Sequence, residues 1–149
     1  MWCGALLTQT CKATGVWIHN SKVDIDTWHE HGHEQVIAQA ELLPVVVVKR
    51  DFKEVTRGAR VLYFIDNEGV KEALVAGVTK SVASRTMLVE AMLQDAYANS
   101  LNWYSRIPSP SNIADAPSRL MWKEVNEMVD CVRVDVELDY NSWGVIRVV

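Results

Sequence analysis

The sequence predicts an α/β fold in which a mixed β-sheet is flanked by helices. Three observations indicate this class: strand composition up to Trp28, an apolar stripe of helical spacing that begins near Glu34, and alternating strand and helix patterns from there to Pro108. The chain has 149 residues, of which 23% are charged and 49% are hydrophobic. These values are expected for one globular domain with its own core.

The opening of the chain is predicted to be a β meander. Residues 2–7 and 13–19 are rich in β-branched, aromatic and aliphatic side chains, and the polar stretch between them indicates two antiparallel strands and their connection. Residues 23–28 alternate strictly between apolar or β-branched side chains and acids, apart from the final tryptophan. This alternation predicts a third strand.

A long helix is predicted over residues 34–52, because apolar residues recur there at spacings of four, three and four. The stripe consists of Val36, Ala40, Leu43 and Val47. A strand over residues 42–48 is the alternative, since Pro44 removes a backbone donor and the valines after it are strand formers.

Strand and helix patterns alternate in the next part of the chain. Residues 60–65 are an apolar strand, residues 68–76 and 82–98 have helical patterns, and residues 101–107 return to strand composition. The breaker cluster at residues 108–111 ends this series.

The tail of the chain contains one more predicted strand. Over residues 131–138, apolar side chains alternate with charged ones. We expect residues 1–120 to form the domain, and residues 121–149 to be a C-terminal extension that packs on it.

Composition excludes several classes of protein. The net charge of −4 argues against a free-standing protein that holds nucleic acid by bulk electrostatics. The longest apolar stretch, residues 42–48, is far shorter than the ~20 residues of a membrane span. Three cysteines without C-x-x-C spacing predict reduced, buried thiols and no disulfide framework. In the absence of targeting signals, we expect a cytoplasmic or nuclear location.

Asp66 is the first candidate site residue, because it closes the apolar strand and precedes a predicted helix. Ligand-binding groups are commonly presented at such strand ends in α/β sheets. The alternative is a helix N-cap, since an Asp before a helix accepts hydrogen bonds from free backbone N–H groups.

Two further acids occupy comparable positions. Glu41 lies at helical spacing from Ile37 and Val48, so it borders the face expected to pack on the sheet, where an unpaired carboxylate is costly. Alternatively, it reaches water from the edge of that face. Asp115 is expected in the first turn of a short helix that Asn112 caps, where acids are also ordinary.

These three acids are expected to converge on one point of the fold. Mg²⁺ prefers oxygen ligands and commonly uses a few carboxylates together with water and substrate phosphates. Two such ions about 3.5–4 Å apart can hold an attacking water and a leaving oxygen for phosphodiester cleavage. The sequence therefore predicts a magnesium site, also suited to Mn²⁺, formed by Glu41, Asp66 and Asp115.

Three segments resemble the ribonuclease H domain of retroelement reverse transcriptases. They are residues 37–44 (IAQAELLP), 62–67 (LYFIDN) and 107–119 (IPSPSNIADAPSR). The resemblance implies a mixed five-stranded sheet flanked by helices, and two Mg²⁺ ions held by acids on the first helix, at the end of the fourth strand and at the start of the last helix. Carried over, these roles fall on Glu41, Asp66 and Asp115 as catalytic and metal-binding residues.

One position departs from this family. The family has a fourth acid in its first strand, where this chain has Cys3 followed by Gly4 and Ala5. A soft thiol is a poor substitute for a carboxylate toward Mg²⁺. Either the start of the chain is misassigned or truncated, or the domain has lost normal catalysis.

Two other groups of residues are candidate binding elements. His29, His31 and His33 have alternate spacing that suits a metal tract, but a solvated loop is the favoured interpretation. Basic residues surround the end of the first helix, and Trp103 and Tyr104 offer stacking surfaces, a combination that suits a nucleic-acid backbone. The equal alternative is that these cations simply complement the negative end of the helix dipole. The basic residues are Lys49, Arg50, Lys53, Arg57 and Arg60.

We therefore expect a ribonuclease H-like hydrolase domain of retroelement origin, whose ancestral reaction is two-metal cleavage of the RNA strand of RNA–DNA hybrids. Its expected partners are the hybrid, or another nucleic acid, and an upstream polymerase domain in a longer polyprotein, with no membrane. The alternative is a non-catalytic nucleic-acid-binding or protein-interaction domain that keeps the fold. A third alternative is an unrelated α/β domain in which the three acids never meet.

Overall fold

The computed structural model describes residues 2–9, 12–19, 36–119 and 130–133, together with Asp26, Met121, Lys123, Glu124 and Glu127. Two strands open the chain: β1 (Trp2–Gln9) and β2 (Lys12–His19). The central part consists of α1 (Ile37–Asp51), α2 (Lys53–Thr56), β3 (Arg60–Ile65), α3 (Glu68–Ala76), α4 (Val82–Ala98) and β4 (Leu101–Arg106). A 3₁₀ turn (Ser109–Ser111), α5 (Asp115–Ser118) and β5 (Asp130–Arg133) complete the described elements.

The strands form two sheets within the described residues. In the first, β1 pairs with β2 in antiparallel fashion, with Cys3 opposite Ile18, and β5 pairs with β2 in parallel. In the second, β3 and β4 are parallel, with Leu62 opposite Trp103. The predicted mixed α/β class and the opening antiparallel pair are confirmed.

The predicted helix around Pro44 is confirmed, and the alternative strand over residues 42–48 is wrong. Helix α1 is apolar on almost every side, and its residues from Leu42 to Val48 are all buried. Burial of each such side chain is worth about 1.5–3 kcal/mol. In sum this exceeds the roughly 3 kcal/mol that a proline costs inside a helix, so α1 continues through Pro44.

The hydrophobic core is built around α1. This helix packs on α4, and its backbone also lies close to β1 and β2. Leu43, Val46 and Val47 of α1 and Met87 of α4 are completely buried. Ile65, at the end of β3, belongs to the same cluster. The core therefore brings the end of β3 close to α1.

The two faces of the β3–β4 sheet differ in burial. Tyr63 and Ile65 of β3, with Tyr104 of β4, pack toward the core. The opposite face is exposed and apolar, and we call it the outer face. It consists of Leu62 (53% exposed), Phe64 (58%), Leu101 (69%) and Trp103 (73%).

Most predicted element boundaries agree with the structure. Strand β3 and helices α3 and α4 begin and end where the sequence predicts, and β4 ends at Arg106, one residue early. In the tail, β5 covers Asp130–Arg133, so the beginning of the predicted strand is confirmed. Asp26, the described residue of the predicted strand at residues 23–28, is helical and does not support that strand. The rest of that segment, the three histidines and residues 134–138 lie outside the described residues.

Two expectations concern the whole chain. The division into residues 1–120 and 121–149 stays a prediction, although β5 of the tail pairs with β2. No helix in the described part of the chain has the length and apolar character needed to cross a membrane.

Candidate functional site

Asp66 stands where β3 ends, and it is not the cap of the following helix. Asn67 is the N-cap of α3, because its side-chain Oδ1 accepts a hydrogen bond of 3.1 Å from the backbone N–H of Val70. The alternative prediction that Asp66 serves as the cap is therefore wrong.

The segment that follows the neighbouring strand β4 contacts Asp66. The hydroxyl Oγ of Ser109 donates a hydrogen bond of 2.7 Å to Asp66 Oδ1. The backbone N–H of Ile107 donates to the carbonyl of Ile65 at 3.0 Å, which extends the β3–β4 pairing just past the strands. The ends of the two parallel strands and the loop after β4 thus fix the Asp66 carboxylate.

Glu41 lies on α1, between the buried residues Ala40 and Leu42, and is itself half-buried. Its oxygen Oε2 is buried and has no hydrogen-bond partner among the described residues. A buried polar atom without a partner is costly and calls for an explanation, such as an ion. The alternative in which Glu41 simply reaches water does not fit this atom.

The pKa of Glu41 is raised from 4.5 to about 7. Burial is the main cause, the negative charge of Asp66 adds to it, and a hydrogen bond from the backbone N–H of Asn67 opposes it. When two carboxylates lie close together and are partly buried, their repulsion disfavours the ionised form of one of them. The structure therefore brings Glu41 and Asp66 together.

Asp115 opens α5, as the sequence predicts. Asn112 precedes it and caps the turn, because its Oδ1 accepts from the N–H of Ala114 at 3.1 Å. Arg119, one turn later, donates from Nε to Asp115 Oδ2 at 2.8 Å. One oxygen of the Asp115 carboxylate is therefore engaged by a cation on its own helix.

The three predicted ligands do not form one compact cluster. Within the described ranges, no group of three His, Cys, Asp or Glu side chains is arranged so that it could hold a metal ion. The structure joins Glu41 to Asp66 and places Asp115 on α5, whose backbone lies close to β1. Helix α1, which carries Glu41, approaches the same strand. Strand β1, with Cys3, is thus near both helices.

The pair of carboxylates fits a divalent cation. A hard cation accepts carboxylate oxygens as ligands, and its charge would satisfy the buried Glu41 Oε2 and relieve the repulsion from Asp66. Mg²⁺ commonly uses only one or two protein carboxylates and completes its coordination with water and phosphate oxygens. Glu41 and Asp66 are therefore the residues that could hold Mg²⁺ or Mn²⁺.

No family model, curated protein or solved structure matches this chain. The resemblance to ribonuclease H domains rests on the three sequence segments quoted above.

A buried charged cluster near this site was not predicted from the sequence. Lys49 of α1 is 2% exposed and forms an ion pair with Asp95 of α4. Its Nζ also donates to the hydroxyl of Tyr104 at 2.9 Å and lies 4.5 Å from the ring centre of Tyr63. Burial lowers the pKa of Lys49, and Asp95 opposes that shift.

The signal for this cluster was present in the helix patterns. Lys49 lies seven residues after Leu42, on the buried side of α1, and Asp95 lies four residues after Ala91, which is also buried. A lysine and an acid on two apolar faces that pack together predict a buried pair. The prediction that Lys49 belongs to a basic nucleic-acid surface is wrong, because its ammonium group is enclosed.

The other predicted binding residues have varied surroundings. Arg57 pairs with Glu54 at 2.7 Å, and Arg50 with Asp51 at 2.5 Å, which reduces the local positive charge. Tyr104 stacks on Tyr63 at 5.3 Å, so it does not offer a free stacking surface. Trp103 is 73% exposed and remains suitable for stacking.

Proposed function

We propose that the chain is a ribonuclease H-like domain of retroelement origin, whose ancestral reaction is metal-dependent hydrolysis of the RNA strand of an RNA–DNA hybrid. The observation that carries this proposal is the meeting of Glu41 and Asp66, with a buried Glu41 oxygen that has no partner in the described structure. The two acids lie in the sequence segments that resemble the family, on the helix and at the strand end that the family uses.

The proposal includes the arrangement of the sheet. We infer that the two observed sheets are parts of one mixed five-stranded sheet of the ribonuclease H type. Helix α1 supports this inference, because it lies against β1 and β2 and also packs in one core with Ile65 of β3. A single helix that covers both sheets is expected if they form one layer.

In this proposal Glu41 and Asp66 hold the cation, and Asp115 approaches from α5. Bound divalent ions supply a water of lowered pKa and stabilise the departing 3′ oxygen. Glu41 must lose its proton to act as a ligand, and its pKa of about 7 means that it is ionised mainly above neutral pH. Asp66 is oriented by the Ser109 hydroxyl.

Specific observations favour the second candidate, a non-catalytic domain that binds nucleic acid or protein. Cys3 occupies the strand position at which the family has an acid. Asp115 is paired with Arg119, and the described residues contain no cluster of three metal-ligating side chains. A domain that keeps two carboxylates but lacks the first acid would bind a cation weakly and cleave slowly or not at all.

The expected partners follow from the proposal. The substrate is an RNA–DNA hybrid, whose phosphates the exposed basic residues Lys53 and Arg60 would contact through their charge. An upstream polymerase domain in a longer polyprotein and a cytoplasmic or nuclear location stay predictions.

A hybrid-cleavage assay tests the proposal. The chain is incubated with a labelled RNA–DNA hybrid and Mg²⁺ or Mn²⁺, beside Cys3→Asp, which restores the family's first acid. We expect weak or no cleavage by the natural chain and clear cleavage by the variant. Cys11→Asp is the matched control, because it adds the same acid elsewhere, and Cys3→Asp combined with Asp66→Asn should abolish the gain.

The outcomes separate the candidates. Cleavage that depends on Cys3→Asp and on Asp66 supports a nuclease that has lost an acid. If both forms are inactive but the chain binds the hybrid in a gel-shift assay, the non-catalytic candidate replaces the proposal. If the chain neither cleaves nor binds the hybrid, both candidate functions are overturned.

A further inference from the structure

Ser109 bonds directly to one of the acids, Asp66, and is linked to a second, Asp115, by two successive backbone hydrogen bonds through Asn112. Its hydroxyl Oγ donates to Asp66 Oδ1 at 2.7 Å, across 43 positions of the chain. A carboxylate offers about four lone-pair positions on two oxygens, so this bond orients Asp66 and leaves capacity for another ligand. The contact lies at the strand end where Glu41 and Asp66 meet.

The backbone of Ser109 leads toward Asp115. Its carbonyl accepts from the N–H of Asn112 at 3.1 Å, and the carbonyl of Asn112 accepts from the N–H of Asp115 at 3.0 Å. One residue thus bonds to Asp66 through its side chain and supports the start of α5 through its backbone.

We propose that Ser109 is a positioning residue for the cation site, setting the orientation of the Asp66 carboxylate and its place relative to Asp115. This inference rests on the proposed function, because the positioning acts on cation binding. Ser109 itself is exposed and is not a ligand in this proposal. Its hydroxyl acts through Asp66.

The expected effect is a loss of cation affinity without a loss of fold. Removing a group that hydrogen-bonds to a metal ligand typically lowers metal affinity by about 10- to 100-fold. We expect about 10-fold for Ser109→Ala, at the low end, because the bond is exposed to water. Ser109→Thr keeps a hydroxyl on the same carbon and should restore most of the affinity.

The experiment titrates Mn²⁺ into the full chain and follows the electron paramagnetic resonance signal of free Mn²⁺. Glu41→Gln identifies the part of the binding that belongs to the carboxylate pair. Ser111→Ala is the matched control, because it removes another exposed serine hydroxyl from the same 3₁₀ turn. Circular dichroism melting curves check that the variants are equally folded. If Ser109→Ala folds poorly, Ser109→Cys replaces it, because a thiol has a similar size but is only a weak hydrogen-bond donor.

The results distinguish this inference from the function on which it rests. Glu41-dependent binding that weakens in Ser109→Ala, but not in Ser109→Thr or Ser111→Ala, supports it. Equal Glu41-dependent affinity in the natural chain and Ser109→Ala overturns the positioning role and leaves the proposed function intact. Binding that Glu41→Gln leaves unchanged, or no binding at all, overturns both.

Discussion

Glu41 carries the main electrostatic cost of the candidate site. Its pKa in the folded state, about 7, lies above the ordinary value of 4.5. Between these two pH values the folded chain keeps a proton that the unfolded chain has released. The free energy of unfolding therefore falls as pH rises from about 4.5 to about 7, and it stays low above that range when no cation is present.

This sign leads to a prediction for Glu41→Gln. Without metal, the variant should be more stable than the natural chain at pH 8, by roughly 1–2 kcal/mol after allowance for the partial exposure of the group, and nearly equal in stability at pH 4, below the unfolded-state pKa. Urea unfolding at both pH values measures the difference. Glu72→Gln, on the exposed side of α3, is the control and should leave the pH dependence unchanged. A variant that is less stable at pH 8 would contradict this account of the site.

Lys49 gives a second prediction at the level of single residues. Lys49→Met removes the buried cation and leaves Asp95, which is 22% exposed, with only the Tyr104 hydroxyl as a donor among the described residues, at 3.3 Å. Breaking a buried pair costs about 3–5 kcal/mol, and partial exposure of Asp95 favours the lower end. Guanidinium unfolding should show this loss, whereas Arg57→Met, which breaks a fully exposed pair, should leave stability almost unchanged.

The coupling between Lys49 and Asp95 has its own test. If the pair is the cause, Lys49→Met combined with Asp95→Leu should cost clearly less than the sum of the two single substitutions. Additive losses would show that packing, and not the ion pair, dominates at this position.

At the level of elements, the cap of α3 can be tested without touching the carboxylates. Asn67→Ala removes the side-chain acceptor of the Val70 N–H and should lower the free energy of unfolding by about 1 kcal/mol. The substitution keeps the backbone N–H of residue 67, which donates a hydrogen bond to the Glu41 carboxylate. Asn67→Ser should retain most of the stability, and a midpoint shift in urea unfolding measures both variants. Equal stability of Asn67→Ala and the natural chain would refute the capping role.

The elements themselves were largely predictable because their signals are local. Spacing of apolar residues predicted α1, α3 and α4, and strand composition predicted β3 and β4. Around Pro44, the choice between a helix and a strand depends on burial of the apolar side chains. Burial is a tertiary effect that a single sequence shows only indirectly. Sheet pairing was harder to predict, because the partner of β3 lies beyond two helices in the chain.

The candidate site was predictable in part for the same reason. Asp66 at a strand end and Glu41 on an apolar helix face are visible in the pattern, and the structure brings them together. The bond from Ser109 to Asp66 was not foreseen, because it joins two loops that only the fold places side by side. The sequence alone could not decide whether Asp66 or Asn67 is the N-cap of α3. Both side chains can accept a hydrogen bond from the free backbone N–H groups of a helix N-terminus.

At the level of the whole molecule, the outer face of β3 and β4 is an unusual surface within the described residues. Parallel sheets are usually covered on both faces, whereas Phe64 and Trp103 here are more than half exposed. Contiguous apolar surface of this kind promotes self-association.

This exposure predicts the effect of Phe64→Thr combined with Trp103→Thr. The double variant should remain monomeric to higher concentration in light scattering, while the free energy of unfolding changes by less than about 1 kcal/mol, because little buried area is lost. Val46→Thr, in the core, is the contrast and should cost at least about 2 kcal/mol. A large loss of stability in the double variant would show that the outer face is packed in solution.

Helix α1 contacts both sheets and α4, so its amide hydrogens should be among the last in the molecule to exchange with deuterated solvent. Local fluctuations would have to separate two sheets at once to expose Val46 or Val47, and that event is nearly equivalent to complete unfolding. The slowest exchange rates along this segment would then report the global free energy directly. Glu41, which sits on the same helix, would be carried by the most rigid part of the chain.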